Sequence, residues 1–256
     1  MAQIRTVETT RGLEWIKQGW RYFMRQPKTW LGIGSTFMVA FIIAILIPVI
    51  GSLLASVVAP VFVSGMMFAA RELEAGRAIE FGYLLRGFNE PKTMNKLFTL
   101  GGILVAGSFV SMMIGLLIVG GAILSASSTS VSPVSLIVTS ASGLLALLLM
   151  LTVQLATTMA VVFAIPLVTF EDAPVGDAVR ASFDACVRNT MPFLVFGLFY
   201  TVLGIVAAVL FGLLFAIFGF LGVLLAIASS GLIGAVSVCM IYASYRDCFI
   251  TARPGA

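Results

Sequence analysis

Six apolar runs, each long enough to cross a bilayer and none containing Asp, Glu, Lys, Arg or His, constrain this chain more than any other feature. They cover residues 30–47, 52–70, 97–124, 136–168, 193–214 and 221–244. A hydrocarbon layer of ~30 Å takes about 17–25 helical residues to cross, and a helix satisfies its own backbone N–H and C=O groups there without water. With 60% hydrophobic and only 10% charged residues, a chain of 256 residues cannot fold its apolar surface into a water-soluble core. The expected fold is therefore all-α. The chain reads as one integral membrane domain, 1–256, with about six transmembrane helices arranged as three hairpins. The fourth run is too long for one untilted crossing, so its Ser-rich start and its end around Pro166 are expected to lie in the interfaces or to bend. The first hairpin has the shortest runs and an apolar turn at 48–51, and can either cross fully or dip in and return.

Charge is sorted between the runs. All 15 basic and all 11 acidic residues lie in 1–30, 71–96, 171–188 and 246–253. The other connections, 48–51, the Ser/Thr-rich 125–133 and 219–222, hold none. By the positive-inside bias the N- and C-termini and both charged loops are expected in the cytoplasm, which an even number of crossings allows. The first thirty residues begin polar and turn basic and aromatic, unlike a cleavable leader, so the N-terminus is expected to be mature protein.

A segment of helical periodicity precedes each hairpin, too polar to span. In the first, Leu13, Ile16, Trp20, Phe23 and Met24 recur at spacings of three and four while Lys17, Arg21 and Arg25 repeat every four. This spacing predicts a cytoplasmic amphipathic helix lying in the interface with its bases toward anionic headgroups. Pro27 ends it, and Trp15, Trp20 and Trp30 read as interface anchors. A second such helix is expected around Phe81, Leu84, Leu85 and Phe88, stopping before Pro91. A third carries Val179, Phe183, Cys186 and Val187 on one face and Asp177, Arg180, Asp184 and Arg188 on another. Helix and hairpin thus recur as units 10–71, 77–170 and 176–246, a candidate internal repeat.

Several stretches carry a family likeness. Gly19-Trp20-Arg21-Tyr22-Phe23 with Pro27 and Trp30, Ala59-Pro60 with Gly65-Met66, Leu85-Arg86-Gly87-Phe88 and Tyr242-Ala243-Ser244-Tyr245-Arg246-Asp247 together resemble an uncharacterised family of proteobacterial multi-pass inner-membrane proteins. More remotely, 178–197, with Ser182-Phe183 and Asn189-Thr190-Met191-Pro192-Phe193, is similar to the membrane domain accompanying some glycerophosphodiester phosphodiesterases. The resemblance implies a fold and a bacterial inner-membrane location, and transfers no catalytic residue, because the phosphodiesterase domain itself has no counterpart here.

Candidate chemistry is sparse. His is absent, which removes the commonest general base and transition-metal ligand. Cys186, Cys239 and Cys248 have no metal-ligand spacing and read as free thiols, so no metal and no cofactor are expected. With no Asp, Glu, Lys, Arg or His inside the runs, no enzyme is expected. Gly101-Gly102 and Gly120-Gly121 lack the following Lys-Ser/Thr of a phosphate loop and read as helix-packing positions. The net charge of +4 is accounted for by residues 1–30, so headgroups rather than nucleic acid are the expected polyanion.

Gln154 is the one carboxamide deep in a run and is expected to bond across helices, to Tyr200 or Thr201, in preference to contacting a solute. Ala226, Ser230 and Gly234, spaced by four, form a small-residue row expected to pack a helix within the monomer, although an oligomer is also compatible. Two functions follow. One is a non-enzymatic protein that organises membrane or binds a protein partner through its interfacial helices. The alternative is a carrier or channel for a small neutral or amphipathic molecule, using the prolines and the Gln154 region.

Overall fold

A computed structural model describes residues 3–48, 50–127 and 133–250, with side chains at all of these other than 122–139, 223, 224, 228 and 250. The central part of the Ser/Thr-rich connection and Arg253 fall outside the described residues. Within them the chain forms α1 (Arg11–Arg25), α2 (Pro27–Ile45), α3 (Ile50–Glu74), α4 (Pro91–Ser127), α5 (Pro133–Val162), α6 (Ala164–Glu171), α7 (Val175–Arg188), α8 (Thr190–Phe218) and α9 (Phe220–Cys248). A 3-10 segment spans Phe81–Phe88, and two-residue strands β1 (Gln3–Ile4) and β2 (Phe249–Ile250) pair antiparallel. Six helical segments are long and apolar enough to cross a membrane: α2, α3, α4, α5 with α6, α8 and α9. The molecule is an all-α polytopic membrane protein.

Side by side, the long helices run α8, α9, α2, α3, α4, α5, and no packed interface joins α5 to α8 among the described residues. At their charged ends α7 packs against both α5 and α8, while α1 packs on α3, α8 and α9. Buried side chains concentrate there, including Trp15, Trp30, Leu97, Leu100, Phe163, Tyr242 and Tyr245. Further along, α8 buries only Pro192. Lipid chains are as apolar as leucine, so the outer stretches have no hydrophobic reason to bury themselves and are held by close packing alone. Gly34 of α2 and Gly231 of α9 illustrate such packing: a β-carbon on Gly34 would overlap the Gly231 carbonyl oxygen. The expected small-residue row lies beside this contact. The approach is made at Gly231 and Ala235, whereas Ala226, Ser230 and Gly234 are half-buried and Gly234 only grazes the Met38 sulfur.

Two breaks in the helices have identifiable causes. Pro27 stands at the first turn of α2, where its missing N–H costs nothing, and Gln26 before it takes φ −145° and ψ 67°, which ends α1. The Gln26 side-chain oxygen accepts the Ile79 N–H at 2.9 Å, joining this corner to the loop after α3. The expected bend near Pro166 falls at Phe163, between α5 and α6. Here the Ser182 hydroxyl of α7 inserts into the ladder, accepting the Phe163 N–H at 3.0 Å and donating to the Met159 carbonyl at 2.6 Å. Ser182→Ala leaves the Phe163 N–H without its acceptor and the Met159 carbonyl with only the weak Cys186 thiol donor at 3.7 Å, so it is expected to destabilise by about 1–3 kcal/mol. Thermal unfolding in detergent, with Ser182→Thr retaining part of the loss, checks this.

The second leading segment departs from expectation. In place of an α-helix, Phe81–Phe88 is 3-10, burying Leu84 and Gly87 at its three-residue period. Gly82 and Gly87 weaken the α form, and Gly87 lies so close to the Val61 carbonyl that a β-carbon would overlap it.

Candidate functional site at the charged face

The two ends of the described chain meet at one face. Gln3 pairs with Ile250 and Ile4 with Phe249, and the Arg5 N–H donates to the Cys248 carbonyl at 2.8 Å. Asn189, fully buried between α7 and α8, fastens the same segment. Its side-chain oxygen accepts the Val7 N–H at 2.8 Å, and its amide nitrogen donates to the Arg5 and Ala185 carbonyls at 2.9 Å each. Both ends therefore lie on one side of the bundle.

Two carboxylates then clamp the helices. Asp247 accepts from the Arg11 guanidinium at 2.7 Å and from the Trp15 indole N–H at 2.8 Å, tying α1 to the end of α9. Glu74, at the end of α3, accepts from the Tyr242 hydroxyl at 2.6 Å and from Arg246 Nε at 3.3 Å. Arg25 donates to the Leu73 carbonyl, where the negative end of the α3 dipole favours a cation. On the far flank Lys96 donates to the Asp172 carbonyl at 2.8 Å and to its carboxylate at 2.5 Å. The Lys96 ammonium holds the Asp172 carboxyl below its ordinary range, as Lys17, 2.9 Å away, does for Glu14. Burial pushes the Cys186 thiol up to about 12, which leaves it un-ionised and unreactive. Among the described residues no three His, Cys, Asp or Glu side chains group to hold a metal ion.

Helix α1 has three sides rather than the expected two. Gly12, Trp15, Gly19 and Phe23 face the protein, with Trp15 against the rings of Phe193 and Phe196 at 5.0 and 6.4 Å. Ile16 is half-buried. Leu13, Trp20 and Met24, which share one stripe with Lys17, turn outward and are 50%, 49% and 52% exposed. Arg21 and Arg25 are exposed beside them. The tryptophan reading is corrected accordingly: Trp15 and Trp30 are fully buried in the protein, and Trp20 alone among the three is free to meet a headgroup layer. Helix α7 repeats the division. It buries Ala178, Ser182, Ala185 and Cys186, whereas Phe183 and Val187, expected on the Cys186 side, face outward near exposed Arg180 and Arg188. In the 3-10 segment Phe81 and Leu85 are likewise exposed, next to Arg86. Each leading segment thus turns two or three bulky apolar side chains outward beside a cation.

Gln154 and Tyr200 do not meet. Gln154 is exposed on α5 and its carboxamide has no hydrogen-bond partner among the described residues. Tyr200 is on α8 with its ring 5.2 Å from Phe196, and Thr201 donates to the Gly197 carbonyl of its own helix. Thr152, Thr157 and Thr158 each donate to the carbonyl four residues back, as threonines inside a helix commonly do.

Sequence reading passed over Asn189, Asp247, Glu74 and Ser182 as fastening points. Asn189 had a signal, a carboxamide just before a Thr-x-Pro helix start, but two of its three partners, Val7 and Arg5, lie more than 180 residues away.

The arrangement defines a multi-pass integral membrane protein whose charged face carries both ends of the described chain. Over 262 aligned positions the chain is 29% identical to a probable inner membrane protein of Burkholderia thailandensis, covering 99% of this chain and 96% of that one. No protein-family profile matches it, and no solved structure matches it significantly.

Proposed function

We propose that this is a non-enzymatic protein of the bacterial inner membrane whose charged face lies on the cytoplasmic leaflet and organises anionic lipid, presenting a surface there for a protein partner. The observation that carries the reading is the exposed stripe Leu13, Lys17, Trp20 and Met24 on α1, echoed by Phe81 and Leu85 and by Phe183 and Val187. Aromatic and aliphatic side chains of this size sink ~5–10 Å into the boundary between headgroups and acyl chains, while neighbouring bases contact phosphate. Charge sorting supports a cytoplasmic orientation of both termini and of the loops that hold Glu80 and Asp184. The inner-membrane location is supported by the likeness to a probable inner membrane protein of Burkholderia thailandensis. A non-enzymatic role is supported by the state of the clamping acids: Glu74 and Asp247 are engaged by arginine, tyrosine and tryptophan donors and offer no free base. The carrier alternative has less support, since Gln154 is exposed and, among the described residues, no packed interface joins α5 to α8 to enclose a path.

Lipid selectivity tests the proposal. In bilayers mixing neutral and anionic spin-labelled lipids, the full-length protein is expected to enrich anionic lipid at its boundary. Lys17→Gln with Arg21→Gln is expected to weaken this by about 1 kcal/mol per base, and salt is expected to weaken it for wild type too. Equal selectivity in wild type and variant would contradict the role of α1. Arg25 is left intact because it also caps α3.

A further inference from the structure

Gln154 sits where a lone carboxamide has no reason to be. Thr157, one turn nearer the charged end of α5, lies against Gly107 of α4, and Gly107 stands along α4 from Lys96, whose ammonium meets Asp172. At ~1.5 Å per residue, Gln154 is roughly 20 Å from that polar level, within the hydrocarbon layer of ~30 Å. Water is scarce at this depth, and an unpaired amide there is costly. The hydroxyls nearby give it nothing, because Thr152 and Thr158 bond to their own helix. Leu147, Leu151, Gln154 and Thr158 form one exposed stripe at spacings of four, three and four, the geometry of a helix–helix seam.

We propose that this stripe is a dimer interface, with α5 pairing with α5 of a second copy and the two Gln154 carboxamides bonding to each other. A second copy is the occupant that the stripe's own chemistry specifies. Two copies inserted with the same topology are related by an axis along the bilayer normal, so equal residues lie at equal depth and Gln154 meets Gln154. A carboxamide carries both donor and acceptor, so the pair is self-complementary, each NH₂ donating to the other's C=O. The rest of the stripe is uncharged and brings no repulsion to the axis.

The test uses the full chain in membranes, with Cys186, Cys239 and Cys248 replaced by Ser. Gln154→Cys and Leu151→Cys are expected to cross-link to dimers on oxidation, whereas Leu149→Cys, on the opposite flank of α5, is not. In a lipid-dilution series of the otherwise native chain, Gln154→Leu is expected to raise the dimer dissociation constant about tenfold, with Gln154→Asn recovering part of it. Gln154 is exposed, so the leucine variant is expected to fold, and its thermal unfolding gives an independent check. A monomer at all lipid dilutions, cross-linking at 149 in place of 154, or a dissociation constant indifferent to Gln154→Leu would each overturn the proposal.

Discussion

Gly34→Leu is expected to prevent this protein from accumulating in membranes. A β-carbon at position 34 meets the Gly231 carbonyl oxygen, and one at Gly231 meets the Ser35 backbone, so α2 and α9 touch backbone to backbone with no flexible side chain to yield. Overpacking a close contact costs about 1–3 kcal/mol for one or two methylenes, and more where only backbone can move. Gly34→Ala is therefore expected to lower the unfolding temperature clearly, and the leucine variant to leave little folded protein. Gly197, on α8, has open space beside it, so Gly197→Leu adds the same bulk and is expected to be tolerated. Membrane abundance of the three variants checks the claim, and normal abundance of Gly34→Leu would show that α2 and α9 do not approach as described.

Asn189→Ala is expected to release the N-terminal segment. The substitution removes three hydrogen bonds and leaves the Val7 N–H and the Arg5 carbonyl seeking partners, while the Ala185 carbonyl keeps the backbone N–H of residue 189. Buried groups orphaned in this way cost about 1–3 kcal/mol each, and local relaxation of the freed segment brings the sum to about 2–4 kcal/mol. Asn189→Asp keeps the acceptor but loses both donors and buries a charge, so it is expected not to rescue. Limited trypsin digestion reads the effect directly: cleavage after Arg5 is expected to accelerate by about tenfold or more in the alanine variant while the six long helices stay protected. Unchanged cleavage would mean that β1 and β2 alone hold the segment.

The six helices long and apolar enough to cross a membrane, and the sorting of charge between them, were legible in the sequence because hydropathy is local and a charge inside the layer is costly wherever it occurs. The direction in which an apolar side chain points was not. Lipid and protein interior are equally apolar, so Trp15 and Trp20 look alike in sequence although one is sealed against Phe193 and the other is half exposed. The same ambiguity hid the outward turn of Phe183 and Val187 and placed Gln154 at a helix contact within the monomer. Short-range signals fared better. Pro27 ends α1 as expected, and the bend near Pro166 occurs, although its completion by Ser182 depends on a helix nineteen residues further on. Longer still is the reach of the clamps: Arg11 and Asp247 are separated by 236 positions, and no local pattern announces their pairing. The 3-10 form of 81–88 was missed because its apolar spacings of three and four fit an α-helix as well, and two glycines with a close neighbour decided the outcome.

The charged face, with its outward-turned apolar side chains, is expected to be cytoplasmic. Single cysteines at Glu80 and Asp184, both exposed, test it most directly, because Cys186, Cys239 and Cys248 are buried and give little background. In intact cells with permeable outer membranes, a membrane-impermeant maleimide is expected to leave both positions unlabelled until the inner membrane is opened, after which both label fully. Labelling of either position in unopened cells would invert the topology and move the surface formed by α1, the 3-10 segment and α7 to the wrong leaflet.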